Sequence, residues 1–310
     1  MATIGIVSPR SRHGLAVSAE VVARALAGAG HDVHRHVAEE EPPAGIRFDV
    51  VIFLQVVVEA WLGVGSRTAL IPNPEWFLDE HVELLPGIDL VLAKTHDAMA
   101  AFQALSCDVE LVRFTSRDCW LPAVERDYRA FVHVAGKSHQ KGTNTMVDVW
   151  AAHPDFPRLT IVRTRPRRSR RRMPPNVTLL DDYLPAGWVQ VLQNQAGVHV
   201  CPSEAEGWGH HIVEGLSVGA VVITTDAPPM NEVVRPDRGI LCGYLSRAPQ
   251  RLGTSYQVSP DALAAAVRST LEREPDELAA MGRRARAFFL DNDADFRRRL
   301  VAAVGRLAAS

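Results

Sequence analysis

The chain has 310 residues, 47% hydrophobic and 23% charged, which is ordinary for a globular protein and enough for two domains with buried cores. No apolar run approaches the ~20 residues of a membrane-spanning helix. The net charge of −2 hides a division, because residues 1–125 carry 9 Lys/Arg against 17 Asp/Glu and the remainder carries 25 against 19, so the second part suits an anionic ligand.

Residues 1–7 lack the basic n-region and cleavage site of a signal peptide and read as the first strand of a cytoplasmic protein. A loop follows to Gly14, and residues 15–29 have helical periodicity with Gly30 as the stop. Residues 32–37 alternate as a second strand. Strand, loop, helix and strand in this order predict a doubly wound α/β domain, in which ligands bind at the carboxyl ends of strands. Gly14 lies at such an end and is a candidate ligand contact, although the loop is not a Gly-x-Gly-x-x-Gly fingerprint.

Further buried strands are expected at residues 49–54, 69–71 and 89–93. The fourth runs into Pro72-Asn73-Pro74-Glu75-Trp76-Phe77, where the prolines hold the backbone away from helix and strand. Asn73 and Glu75 are then either acceptor-side or catalytic contacts, or parts of a rigid turn whose Trp76 and Phe77 plug the core. His96 precedes the next helix, expected from about residue 97 to 105, as a capping or surface residue, with a catalytic role as the alternative. Residues 115–128 form a packed link between domains 1–125 and 126–290.

A strand over residues 131–135 opens the second domain and leads into Gly136-Lys137-Ser138-His139-Gln140-Lys141-Gly142, followed by a helix. Two lysines in a glycine-bounded strand-to-helix loop can hold a diphosphate beside free backbone N–H groups. After a strand at residues 159–162 come Arg163, Arg165, Arg167, Arg168, Arg170, Arg171 and Arg172. They carry all of the second part's positive excess and are either a solvated loop or a contact for an anionic surface, nucleic acid included. No aromatics are interleaved for base stacking.

A strand at 176–180, a helix at 185–195 and a strand at 197–200 lead into Cys201-Pro202-Ser203-Glu204-Ala205-Glu206-Gly207-Trp208-Gly209, then a helix carrying Glu214. The helix N-terminus favours an anion, and Glu206 and Glu214 avoid repelling it if they accept hydrogen bonds from sugar hydroxyls. Such a loop suits a nucleotide sugar. Asp226 to Glu232 forms another turn at a strand end, and helices are expected over residues 260–272, 275–290 and 295–308. The four cysteines, Cys107, Cys119, Cys201 and Cys242, have no metal-ligand spacing and read as buried thiols.

The ordered motifs Gly136-Lys137…Lys141-Gly142, Glu206-Gly207-Trp208-Gly209…Glu214 and Asp226…Glu232 resemble those of retaining GT-B glycosyltransferases, in particular the large group-1 family with its Glu-x7-Glu signature. The resemblance implies two Rossmann-like domains facing a cleft, with the last helix, residues 291–310, crossing back to the first domain. It implies transfer from a UDP- or GDP-sugar to a hydroxyl without a metal. Lys141 with Lys137 would neutralise the donor diphosphate, Glu214 would bind the ribose and Glu206 would face the sugar, with Gly136, Gly207, Gly209 and Glu232 framing the donor.

Three positions depart from the pattern. Lys137 stands near the family's usual Arg, Pro228-Pro229 replaces a glycine-rich turn, and Asn73-Pro74-Glu75 takes the place of a first-domain His. These departures favour donor binding over turnover, so a non-catalytic nucleotide-sugar module is the second reading. A nucleic-acid-modifying enzyme using the arginine run is the third.

Overall fold

The computed structural model describes residues 1–11, 14–163, 172–181 and 184–310. The chain forms two compact units, one of Met1–Ser116, Pro249–Thr254 and Asp291–Ser310, the other of Arg117–Ala248 and Ser255–Leu290. Each is an α/β layer structure around a parallel six-stranded sheet.

The first unit runs β1 (Thr3–Ser8), α1 (Gly14–Gly28), β2 (Asp32–Val37), β3 (Phe48–Leu54), α2 (Glu59–Leu62), β4 (Gly65–Ile71), α3 (Asp79–Val82), β5 (Leu90–Ala93), α4 (His96–Gln103) and β6 (Val109–Leu111). The strand order is β2-β1-β3-β4-β5-β6. Phe48-Asp49-Val50-Val51-Ile52-Phe53-Leu54 is apolar on both faces, as a central strand covered by helices on both sides must be. Phe53, Trp61, Leu70, Phe77 and Phe102 share one core cluster. The sheet delivers Gln55, Asn73 and Lys94 at the ends of β3, β4 and β5.

The second unit runs β7 (Asp127–Gly136), α5 (Thr143–Ala152), β8 (Leu159–Arg163), β9 (Val177–Leu180), α6 (Ala186–Gln195), β10 (Ala196–Cys201), α7 (His210–Ser217), β11 (Val221–Thr225), α8 (Met230–Val233) and β12 (Gly239–Cys242). It continues with β13 (Tyr244–Gln250), β14 (Gly253–Val258), α9 (Pro260–Leu271) and α10 (Pro275–Ala309). The order β12-β11-β10-β7-β8-β9 reverses between β7 and β10. That reversal point is where doubly wound sheets open a crevice for ligands, and the loops after both strands lie there. The core of this unit gathers Phe131, Met146, Trp150, Phe156, Ile161, Val198 and Val267.

Two elements differ from the sequence expectation. The two helices expected over 275–290 and 295–308 are one helix of 35 residues. Its polar middle breaks the apolar period without breaking the helix, because Arg297–Asp293 and Arg299–Asp295 pairs at i,i+4 support it. Its last segment, from Asp291, belongs to the first unit. There the Phe296 ring lies 5.0 Å from that of Phe114, and Asn292 Nδ2 donates to Phe114 O at 2.5 Å. The hairpin β13–β14 has no expected counterpart, since β13 is exposed nearly throughout and offers no alternation to detect. Its tip, Pro249–Thr254, also belongs to the first unit.

Candidate functional site

In the second unit the loop after β7 is pressed against the loop after β10. Gly142 has φ 62°, and a Cβ there would collide with Pro202 O. The backbone N–H of Glu204 donates to Gln140 O at 2.8 Å. This closeness joins Lys141 Nζ to Glu206 Oε1 in an ion pair whose side chains are 15% and 8% exposed. Lys141 Nζ also lies 3.4 Å from His211 Nδ1, while His211 Nε2 lies 3.2 Å from Ser203 Oγ. Burial and the Lys141 charge hold His211 far below the usual imidazole range. A neutral ring fits one tautomer, with Nδ1 accepting from Lys141 and Nε2–H donating to Ser203.

His133 fixes the floor. Its Nδ1–H donates to Val200 O at 2.6 Å, and its Nε2 accepts from Thr143 Oγ1 at 2.8 Å. Burial pushes its pKa down to about 4. The imidazole thus ties β7, β10 and α5 together without adding charge beside Lys141.

Helix α7 starts at His210 after Gly209, whose φ is 83°. A Cβ at Gly209 would stand 2.9 Å from Ile212 Cδ1, so glycine leaves the helix entry open. Glu214, on α7, accepts from Gln193 Nε2 at 3.2 Å. Burial raises its carboxyl above the usual range, against that hydrogen bond and the charges of Arg117 and Lys141. Glu232 lies on the first turn of α8, at the end of β11, after a cis Pro228-Pro229 bond. Gly136, with φ 59°, closes β7. Lys137 beyond it is exposed, so the two lysines of this loop occupy different environments.

The first unit holds a second polar cluster. Lys94 is 3% exposed and donates to Asn73 Oδ1 at 2.5 Å, and Asn73 Nδ2 donates to Gln55 Oε1 at 2.9 Å. The ammonium lies 4.9 Å from the Phe114 ring centroid. Burial drives the Lys94 pKa down to about 8, partly offset by the buried Glu75 carboxylate. The hairpin tip holds the same loop, with Leu252 N–H donating to Pro74 O and Gln250 Nε2 to Glu75 O, both at 3.1 Å.

The structure bears on the rigid-turn reading of the Asn73 loop. Phe77 is fully buried, but Trp76 is 50% exposed and plugs nothing. His96 is exposed on the first residue of α4, and the cap is Thr95, whose hydroxyl accepts from Ala98 N–H at 3.1 Å. Gly14 is exposed at the start of α1.

Lys94, Gln55, His133 and His211 were not singled out from sequence. Lys94 had a signal, since it directly follows a predicted strand at its ligand-binding end. The histidines had none, because a His inside an apolar run looks the same whether it braces a site or fills a core. In the arginine run, Arg163 forms a bidentate pair with Asp181, both bonds at 2.8 Å, and Arg172 is exposed. Arg165, Arg167, Arg168, Arg170 and Arg171 lie outside the described residues. Among the described residues no group of three or more His, Cys, Asp or Glu could hold a metal ion, and no helix is long and apolar enough to cross a membrane. All four cysteines are free, three of them buried.

Residues 176–288 match the family model for glycosyl transferases group 1. No curated protein sequence matches the chain. Among solved structures, sucrose-phosphate synthase from Thermosynechococcus elongatus aligns over 100% of both chains at 15% identity, with a TM-score of 0.74. Anabaena HepE in complex with UDP and glucose aligns over 99% of this chain and 100% of its own at 13% identity, with a TM-score of 0.74. A glycosyltransferase from Rickettsia africae aligns over 98% of each chain at 12% identity, with a TM-score of 0.73. At these identities the likeness is one of fold, and that fold is GT-B. The family match spans Glu206, Gly207, Gly209, Glu214 and Glu232, so residues 176–288 of this chain are similar to the group 1 glycosyl transferases.

Proposed function

We propose that the protein is a retaining glycosyltransferase that moves a sugar from a UDP- or GDP-sugar to a hydroxyl acceptor without a metal ion. The observation that carries this reading is the largely buried Lys141–Glu206 pair at the crevice between β7 and β10. As the glycosidic bond breaks, negative charge grows on the diphosphate oxygen, and a positioned cation beside helix N–H groups stabilises it. Lys141 supplies the cation and the start of α7 supplies the N–H groups. When the diphosphate takes Lys141, Glu206 is freed to accept from a sugar hydroxyl. Neutral His211 keeps the ammonium aimed without adding a competing charge.

In this reading Glu214 accepts from the ribose hydroxyls, Glu232 faces the sugar, Gly136, Gly207 and Gly209 let backbone approach the donor, and exposed Lys137 adds charge at the phosphate. The acceptor side falls to Asn73 and Glu75, with His96 and Gly14 on neighbouring strand ends. Anabaena HepE, solved with UDP and with UDP-glucose, supports the donor class.

A donor-binding module without turnover is the second reading. It is favoured by Asn73, whose amide oxygen and nitrogen are both engaged, by Lys94 and Gln55. A nucleic-acid role through the arginines loses Arg163, which is committed to Asp181. The test is a melting screen with UDP, GDP and ADP, followed by donor hydrolysis. A ligand at 100 times its Kd stabilises by about 2.7 kcal/mol, so UDP or GDP should raise Tm by several degrees, Lys141→Ala should cancel the shift, and EDTA should leave hydrolysis unchanged. Absence of a shift with every nucleotide overturns donor binding. A shift without hydrolysis or transfer selects the second reading.

A further inference from the structure

A pocket of 560 Å³ lies wholly within the second unit, between residues 120–128 and the early turns of α10. Its volume falls in the range of small-molecule sites, and its lining includes neither Lys141 nor Glu206. Glycines make the floor. Tyr128 Oη donates to Gly219 O at 3.0 Å, and a Cβ at Gly282 would collide with Gly219 O and stand 2.5 Å from Tyr128 Oη. No larger residue fits at Gly282 without displacing these two groups.

Charge gathers unusually on one wall. The Arg126 guanidinium lies 3.8 Å and that of Arg286 5.1 Å from the Trp120 ring centroid. Arg286 is neutralised, donating to both Asp118 oxygens at 2.5 and 2.8 Å and to Ser217 O at 2.7 Å. Arg126 is not. Among the described residues it donates only to Val218 O and, at 3.4 Å, to Asn194 Oδ1, and both are neutral groups. Burial lowers the Arg126 pKa, and the neighbouring Arg286 charge lowers it further, while Tyr128 acts in the opposite sense. Exposed Arg283 adds a third guanidinium to the lining, with exposed Glu125 as its one carboxylate. Pro122 and Ala279 provide apolar wall.

A guanidinium held half-buried beside another, without a carboxylate of its own, is stabilised by an anion that can take its remaining N–H groups. We propose that this pocket binds a small organic anion, with its oxyanion head on Arg126 and Arg283 and its apolar body against Pro122 and Ala279. The site is independent of the donor reading, because the two share no residue.

Phenyl phosphate, a phosphate head on an apolar ring, is the probe, and benzyl alcohol is its uncharged counterpart. Indole N–H resonances separate the two sites, since Trp120 lines this pocket and Trp208 stands in the loop between Gly207 and Gly209; Trp120→Phe assigns the first signal. Titration should move the Trp120 resonance saturably and leave Trp208 in place. Arg283→Glu, a change at an exposed position, should weaken that titration at least tenfold, and benzyl alcohol should not reproduce it. A Trp120 signal that stays still, that responds equally in Arg283→Glu, or that follows benzyl alcohol as well overturns the proposal. A response at Trp208 alone also overturns it and places the anion in the donor loop.

Discussion

His133 and His199 lie inside the second unit's sheet, 0% and 1% exposed, with backbone oxygens of Val200 and Gln193 as partners. Burial lowers both pKa values to about 4. Between the unfolded value near 6.5 and the folded value near 4, the unfolded chain holds protons that the folded chain refuses. Stability is therefore full above pH 6.5 and is lost as pH falls toward 4, by up to roughly 3 kcal/mol for each ring. Tm should drop steeply from pH 7 to 4.5, and His199→Asn should flatten that slope even if it lowers Tm throughout; an unchanged slope would show that the titration lies elsewhere. Lys94 acts at the other end of the scale. Its folded pKa of about 8 lies below the ordinary lysine value of 10.5, so the unfolded chain holds more protons in that window and stability rises with pH there. Lys94→Met should remove that rise. Both strands carrying the histidines were legible from their apolar runs, but the protonation was not, because it depends on how completely the folded sheet buries the rings.

The two loops at the β7/β10 crevice work as one element, and Gly142 is where they meet. Its left-handed backbone alone costs an L-residue about 1–2 kcal/mol, and the collision with Pro202 O is with backbone that cannot swing away. Gly142→Ala should cost at least about 2 kcal/mol and also displace Lys141 from Glu206, weakening UDP. Gly136→Ala is the matched control, with a similar φ of 59° but no atom within 4 Å of the added methyl. It should show only the backbone cost. Equal losses at both positions, measured by denaturant unfolding, would leave loop-to-loop contact without a role. The elements flanking these loops were legible because buried parallel strands write continuous apolar runs bounded by glycine. The hairpin β13–β14 was not, since β13 is exposed nearly throughout and leaves no hydrophobic pattern.

At the scale of the molecule, the first unit is completed by chain that arrives from far along the sequence. Asn292, Phe296, Leu300 and Val304 of α10 are each 5% exposed or less, and Asn292, Phe296 and Arg306 reach Phe114 and Glu110, near the end of the first unit's sheet. The apolar spacing of residues 295–308 made a helix legible there. Its continuity with residues 275–290 was not, because Asp291-Asn292-Asp293 looks like an interruption until the i,i+4 pairs with Arg297 and the Asn292 hydrogen bond are seen. This construction predicts where damage spreads. Phe296→Ala removes an aromatic ring from a fully buried site, a loss of about 3–5 kcal/mol, and that loss belongs to the unit whose core the ring completes. Native-state hydrogen exchange should then show protection falling across β1, β3, β4 and β5 while β7, β10 and β11 keep theirs. A fall of the same size in both sheets would mean that the units unfold as one cooperative body. A fall confined to α10 itself would mean that the first unit's core stands without it.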